Sequence, residues 1–302
     1  MKKIVITGAT GFLGKRIAEE LISRGDEVTI FSRSVKNAKQ KISNAYDYVE
    51  WNPESNNWHQ KLEDKDAVVH LAGENVMAKR WNVKHKKNIL SSRVEGTRSL
   101  VNAIGQLKYK PKVFISASAI GYYGNSEKLV NEDSAPGKDF LAEVVNAWES
   151  EANKVESCGV RRVSIRTGIV LDTNEGALVP MISQFKFFAG GPIGSGEQWF
   201  PWIHIDDVVK IFLFAIDNQK VSGALNASSP NPLRMKEFCK TLGRVMHRPS
   251  LFKVPAFIIK IIFGEAADVL LNGAQVIPEK TIKAEYDFRF ETAEEALKNL
   301  LK

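Results

Sequence analysis

Cysteine is scarce in this chain, with two residues in 302, Cys158 and Cys239. They lie far apart and form no Cys-x-x-Cys pair. That excludes a disulfide framework and a cysteine-rich metal site, and it fits a reducing compartment. Long apolar runs are missing too. The most apolar stretch, Val254–Phe263, is about ten residues long and contains Lys260, whereas a spanning helix needs roughly 20. It is expected to be a buried or groove-lining helix, and no membrane is an expected partner. The opening MKKIVITGAT has only a short apolar run before a glycine turn, so no secretory leader is expected and the location is read as cytoplasmic. Internal repeats and low-complexity tracts are absent. The net charge is +7, but the surplus Lys and Arg are spread along the chain. No basic stripe with interleaved aromatics emerges, so nucleic acid is not an expected partner.

Hydrophobic residues at 44 % and charged residues at 25 % are ordinary for a globular protein with a sizeable core. Short β-branched runs alternate with helical stretches through the first 170 or so residues. The strands are read as Lys3–Thr7, Glu27–Ser32, Tyr48–Asn52, Ala67–Leu71, Val113–Ser116 and Arg162–Arg166. Between the first two, Ile17, Leu21 and Ile22 form one apolar stripe and Gly25 closes the helix. Continuous apolar strands separated by helices predict a parallel sheet covered on both faces, an α/β doubly wound Rossmann-type fold. After Leu171 the pattern loosens through a segment rich in Gly, Pro and aromatics. It resumes with an amphipathic helix in IHIDDVVKIFLFAI, the strand-like ALNAS, and helical runs Met235–Met246, Ala256–Phe263 and Ala293–Leu300. The expected division is a Rossmann domain over 1–171 with 203–228, and a smaller, mainly helical substrate lobe over 172–202 and 229–302.

TGATGFLG, Thr7 to Gly14, places Gly8, Gly11 and Gly14 three apart between a strand and a helix. In that context the spacing reads as a dinucleotide site. Gly8 makes the turn, Gly11 admits the pyrophosphate, and Gly14 lets helix and strand pack closely. The helix start, with Thr10, Phe12 and Leu13, offers free N–H groups to the anion. An NAD site usually carries an acid at the end of the second strand; here stand Ser32 and Arg33, with Arg24 and Lys36 near in sequence. An arginine suits a 2′-phosphate, so NADP(H) is the expected cofactor.

Further motifs follow at fixed places: HLAG at His70–Gly73, VFISASAIGYYG at Val113–Gly124, GSGEQWFPWIHIDDV at Gly194–Val208, and Gly-Ala-Leu-Asn from Gly223. Together they resemble the extended short-chain dehydrogenases/reductases, the NAD(P)-dependent epimerase/dehydratase superfamily, over essentially the whole chain. The strings LAGENVMAKRW, SASAIGYYG and GGPIGSGEQWFPWIHIDD are similar to its atypical subgroup labelled "epimerase family protein". The resemblance implies a cofactor on the Rossmann domain and a substrate between it and the C-terminal lobe. It adds Leu71, Ala72, Gly73, Glu74, Arg93, Ser116 and Arg166 to the expected cofactor-binding set.

The superfamily's usual acid/base device is Tyr-x-x-x-Lys, and no such pair occurs anywhere in the chain. On the helix DFLAEVVNAWESEA the Tyr position falls near Phe140 or Leu141 and the Lys position near Val145. The superfamily's Asn-Val-x-Gly-Thr helix reads Arg93-Val94-Glu95-Gly96-Thr97, with Arg for Asn. The catalytic candidates are therefore Ser118, Tyr122, Tyr123 and Arg93. One tyrosine would supply a phenol, and Arg93 would lower its pKa or clamp an anionic substrate; the alternative is that these aromatics only wall the pocket. Glu74, Lys79, Arg80 and Trp81 follow the fourth strand as cleft or surface residues. Arg166 is read either as an anion binder or as half of a buried ion pair. His204, Asp206 and Asp207 are read as ordering the substrate loop, with an Asp capping the next helix. Gln198 and Trp199 are candidates to face the substrate. The reading is an oxidoreductase or epimerase with non-standard acid/base groups, set against a non-catalytic NADP(H)-binding module that reports redox state to a protein partner. A small-molecule substrate is the expected partner, with a homodimer left open.

Overall fold

The β-branched runs alternate faces as they cross the sheet, and this alternation organises the computed structural model, which describes residues 1–302. The N-terminal part contains β1 (Lys3–Thr7), α1 (Phe12–Ser23), β2 (Glu27–Ser32), α2 (Val35–Lys41), β3 (Asp47–Glu50), β4 (Ala67–His70), α3 (Val83–Gln106) and β5 (Val113–Ala119). It continues with β6 (Ser126–Val130), α4 (Phe140–Asn153), β7 (Arg161–Thr167) and β8 (Ile169–Leu171). Then come α5 (Leu178–Lys186), β9 (Trp199–Phe200), β10 (Trp202–His204), α6 (Ile205–Asp217), β11 (Gly223–Ala227), β12 (Leu233–Arg234) and α7 (Met235–Met246). The chain ends with α8 (Ala256–Phe263), α9 (Asp268–Leu271), β13 (Ala274–Val276), α10 (Glu279–Lys283) and α11 (Ala293–Leu300).

Seven strands form one parallel sheet in the order β11-β7-β5-β4-β1-β2-β3. Winding proceeds outward in both directions from β1 and β4, so the ligand crevice of such a sheet opens at the C-terminal ends of these two strands. Ile4, Ile6, Ile30, Val69 and Ile115 pack on one face with Ile17 and Leu21 of α1 and Val208 and Phe212 of α6. Val5, Phe31, Val68 and Phe114 face the other way, against Trp51, Trp58 and the α3 residues Leu100 and Ile104. Each such fully buried side chain stabilises the fold by about 1.5–3 kcal/mol relative to exposure. Helices on both faces make this the doubly wound architecture expected from the sequence.

Several boundaries differ from the sequence reading. β3 covers Asp47–Glu50 rather than Tyr48–Asn52: Trp51 turns into the core and Asn52 O accepts the Trp58 indole N–H at 2.8 Å. β5 runs past Ser116 to Ala119 because β7 accompanies it as far as Thr167. The loosely patterned 172–202 segment contains α5, whose Pro180 sits in the first turn, where a missing N–H is harmless. Within Val254–Phe263 a helix does form, α8 from Ala256, but it is not buried. Only Ile259 of α8 lies in the interior.

A second core gathers Leu178, Ile182 and Phe185 of α5 with Phe200, Trp202, Phe238, Leu242 and Leu297. The C-terminal stretch laces the two cores together. Tyr286 and Phe288 pack on the first, while Phe290, Ala293, Ala296 and Leu297 belong to the second. No helix is long and apolar enough to cross a membrane.

Candidate functional site

The glycine turn joins β1 to α1 with Gly8 at φ +73°, a conformation that favours glycine. A Cβ on Gly8 would lie 2.7 Å from the Ala72 nitrogen, so this turn and the loop after β4 touch backbone to backbone. A Cβ on Gly14 would lie 2.3 Å from the Gly8 carbonyl oxygen, which is the close helix–strand contact that the spacing implied. Gly11 is the N-cap of α1, without a side-chain cap and without an acid in the first turn. The helix start therefore faces the crevice with an unneutralised positive dipole, next to the backbone of Thr10, Phe12 and Leu13. Sequence reasoning missed Lys41, whose Nζ donates to the Thr10 carbonyl at 3.0 Å and brings a cation to the turn. The run of lysines in α2 was the available signal.

At the end of β2, Ser32 Oγ donates to the Ser34 carbonyl at 3.2 Å, and Arg33 is exposed with no ion pair. The strand end itself holds no carboxylate. Arg24 does not join this group: its guanidinium pairs with Asp26 and Asp217 at the opposite end of β2. A six-residue strand separates the two ends by roughly 20 Å.

Below the crevice, Thr7 Oγ1 and His70 Nδ1 share a hydrogen bond of 2.6 Å, and the Ala72 N–H donates to Thr7 Oγ1 at 3.4 Å. Burial, with Arg93 nearby, lowers the His70 pKa to about 3, so the ring is neutral. Leu71 is tied by its N–H to the Thr7 carbonyl at 3.1 Å. Arg93 donates to the carbonyls of Glu74 and Ile89, both at 3.0 Å, and its guanidinium lies 5.2 Å from the Trp148 ring centre. A Cβ on Gly73 would meet this guanidinium at 3.2 Å. Burial lowers the Arg93 pKa to about 10, still well above neutrality, with Glu74 opposing the shift. Arg93 thus shapes the 73–74 loop.

At the end of β5 the candidate hydroxyls divide. Ser116 Oγ donates to its neighbour's carbonyl, at Ala117. Ser118 and Tyr123 belong to a buried network. Ser118 Oγ donates to Glu149, which also accepts two hydrogen bonds of 2.8 Å from Arg166. Arg166 in turn donates to the Tyr123 oxygen at 2.9 Å, and the Tyr123 hydroxyl donates to Asn226 Oδ1 at 2.7 Å. Asn226 continues to the Ile277 carbonyl, and the Glu132 carboxylate accepts its backbone N–H. Burial raises the Tyr123 pKa to about 12 despite Arg166. Burial alone would lower the Arg166 pKa, but Glu149 reverses this and raises it. Arg166 is therefore half of a buried ion pair, and the cation next to the tyrosines is Arg166, not Arg93. Its guanidinium lies 3.5 Å from the Tyr122 ring centre. Tyr122, half-buried, has no hydrogen-bonded hydroxyl and is the free phenol of the pair. Glu149 was missed, although a carboxylate on the apolar face of α4 among Val145, Trp148 and Ala152 was the signal.

The position expected for a catalytic tyrosine holds Phe140, edge-on to Trp81 at 5.1 Å. Lys86 lies 5.0 Å from the Phe140 ring centre and pairs with Glu265 across from the C-terminal lobe, while a Cβ on Gly264 would touch the Arg80 guanidinium. Gln198 is buried, donating to the Ile193 and Leu270 carbonyls at 3.0 and 3.1 Å, and Trp199 lies under Arg234. His204, rather than either Asp, caps α6 through Nδ1. Asp207 accepts from the Arg289 and Phe290 N–H groups and from the Tyr286 hydroxyl.

The model of the NAD dependent epimerase/dehydratase family matches residues 4–227. The chain belongs to that family. Residues 254–300 match a domain of unknown function (DUF1731). The family member is 40 % identical over 300 residues to the epimerase family protein YfhF of Bacillus subtilis, covering 99 % of this chain and 97 % of that protein. It is 39 % identical to the chloroplastic SDR39U1 homolog of Arabidopsis thaliana, with 99 % and 86 % covered. A crystal structure of the human epimerase family protein SDR39U1 (isoform 2) with NADPH superposes with a TM-score of 0.87 at 33 % identity, covering 99 % of this chain and 98 % of that one. The fold is that of extended short-chain dehydrogenases/reductases, including a Bacillus cereus UDP-glucuronic acid 4-epimerase in complex with NAD (TM-score 0.78, 17 % identity, 99 % and 95 % covered).

Proposed function

We propose that this chain binds NADP(H) at the C-terminal ends of β1, β2, β4 and β5. There it works as an oxidoreductase or epimerase on a small polar substrate without a Tyr-x-x-x-Lys pair. The end of β2 carries the cofactor assignment: Arg33 is exposed and unpaired where an NAD site would place an acid. The residues present fit the group. Gly8 and Gly14 let the turn pack against the 71–72 backbone and α1 against β1, and Gly11 presents the open face, where a Cβ would meet nothing nearer than the Gly8 carbonyl oxygen at 3.4 Å. Gly11–Gly14 receive the pyrophosphate, Ser32, Arg33 and Lys36 receive the 2′-phosphate, and Leu71–Glu74, Arg93 and Ser116 wall the crevice. When bound, the nicotinamide supplies reversible hydride transfer. The NADPH-bound human relative supports this choice. The substrate lies between the Rossmann domain (1–171 with 203–228) and the lobe of 172–202 and 229–302. Tyr122 is the phenol left to meet it. We place the protein in the cytoplasm and leave a homodimer open.

Fluorescence titration of purified protein with NADPH and NADH tests the cofactor. Arg33→Asp is expected to weaken NADPH binding about 10- to 100-fold, the worth of one charge-assisted phosphate contact, while changing NADH binding by less than about twofold. Equal affinity for both cofactors in the parent protein would sink the assignment. A carbonyl panel, followed by loss of NADPH absorbance, tests turnover, and Tyr122→Phe is expected to reduce it.

The commitment of Ser118 and Tyr123 to a buried network favours one second reading: cofactor binding without turnover, reported to a protein partner. It predicts no turnover on any substrate, and a pull-down that differs between NADP⁺ and NADPH.

A further inference from the structure

Large apolar side chains are exposed in a group on the C-terminal lobe. Phe257 (64 %), Ile261 (67 %), Ile258 and Ile262 project from α8, with Phe252 before it and Phe187 (80 %) after α5. They form one surface, because the segments that carry them run side by side. The Phe252 N–H donates to the Gly190 carbonyl at 3.1 Å, the Val254 N–H to the Pro192 carbonyl at 3.0 Å, and the Gly194 N–H to the Val254 carbonyl at 2.8 Å. Arg248 lies 4.6 Å from the Phe188 ring centre, closing the seam. Isolated exposed apolar residues are ordinary, but a contiguous group of this size marks an interaction surface.

The charges among these side chains are of one sign, and the acids at the border, Glu197 and Glu265, are already paired with Lys236 and Lys86. Lys186, Arg248, Lys253 and Lys260 lie among the apolar residues, and neither 176–196 nor 238–264 contains an Asp or Glu. None of the four is in an ion pair in this structure, although Lys and Glu residues elsewhere on the surface pair freely. A second copy of this chain meeting the face about a two-fold axis would bring the four cations against themselves, with the bordering acids already held by Lys236 and Lys86. An anionic bilayer answers both features at once. Phe and Ile side chains enter the acyl boundary, and Lys side chains reach back to the phosphates.

We propose that α8 with its flanking segments is a peripheral docking face for anionic phospholipid, on which the protein lies without spanning. The eight residues of α8 are too few to cross a bilayer, but an apolar helix face with a basic border is suited to lying in its interface. The end of α8 meets Arg80, in the loop after β4, through Gly264. The inference does not depend on cofactor identity or on turnover.

Sedimentation of the whole chain with vesicles tests it directly. The protein is expected to co-sediment with phosphatidylcholine vesicles containing phosphatidylglycerol and to stay in solution with pure phosphatidylcholine. Partition should weaken at least about tenfold at about 1 M salt, where charges are screened within about 3 Å. Phe257→Ser with Ile261→Asp, and separately Lys253→Glu with Lys260→Glu, should each weaken it at least about tenfold. Both pairs alter exposed side chains, so the thermal midpoint and the NADPH titration should stay unchanged. Absence of binding to anionic vesicles overturns the proposal, as does binding that both double variants retain. Light scattering that shows a dimer split by the same variants, without vesicle binding, overturns it in favour of a second copy.

Discussion

Tyr122 and Tyr123 are neighbours in sequence with different tasks, and the difference lies in where their hydroxyls point. The Tyr123 hydroxyl both donates to Asn226 and accepts from Arg166 in the interior. Tyr123→Phe would leave the buried Asn226 Oδ1 without its donor and Arg166 Nη1 with only the Glu132 carbonyl, and is expected to cost about 1–3 kcal/mol, read as a lower denaturation midpoint. Tyr122→Phe removes no internal hydrogen bond and should leave the midpoint in place; equal losses would contradict the division. His70 carries the pH dependence at this scale. Burial lowers its folded pKa from 6.5 to about 3, so between these values the unfolded chain holds more protons. Stability contributed by the neutral ring is complete above pH 6.5 and declines as the pH falls toward 3, by at most about 1.4 kcal/mol per unit. His70→Asn is expected to flatten this acid limb in melts recorded between pH 4 and 7, and a limb of unchanged slope would assign it elsewhere.

Single helices take their anchoring from distant chain. The α6 carboxylate Asp207 holds the Arg289 and Phe290 N–H groups and the Tyr286 hydroxyl, so one side chain docks the segment that leads into α11. Asp207→Ala is expected to lower stability by at least about 2 kcal/mol through the buried donors it strands. Hydrogen exchange at the 289 and 290 amides should accelerate with it; unchanged protection there would refute the clamp. The amphipathic pattern of α6 was legible in sequence, because its apolar stripe has helical period. Its cap was not. An Asp next to a helix start is the usual cap, and the preference of His204 for this place depends on its stacking with Phe290, 3.9 Å away between ring centres.

The molecule has a hydrophobic cluster on each face of the sheet and a further core in the C-terminal lobe, which the C-terminal segment laces to the largest of them, and the proposed cofactor crevice lies in the sheet-bearing part. A ligand that binds only the folded state stabilises the whole unit. NADPH at about 100 times its Kd adds about 2.7 kcal/mol, which raises the midpoint by several degrees. NADH at the same concentration is expected to raise it less, by differential scanning fluorimetry. An equal rise would count against Arg33 as the discriminating residue.

By itself, the sequence determined the alternation of strands and helices, the parallel sheet and the glycine turn. These follow from local rules: continuous apolar strands, helical stripes, and the backbone freedom of Gly8. It also showed that the Tyr-x-x-x-Lys pair is missing, since absence of a short motif needs no tertiary information. Only the tertiary structure decided which candidate residues are free. Ser118, Tyr123 and Arg166 read as site residues until Glu149, from another helix, and Asn226, from the far edge of the sheet, consume their hydrogen-bonding capacity. Arg24 stood close to Arg33 in sequence, yet the length of β2 places the two at opposite ends of the sheet. Hydrophobicity alone read α8 as a buried or groove-lining helix, and the fold left all of it but Ile259 outside the interior. Burial and pairing are properties of what else arrives at a place, and segments far along the chain supply that.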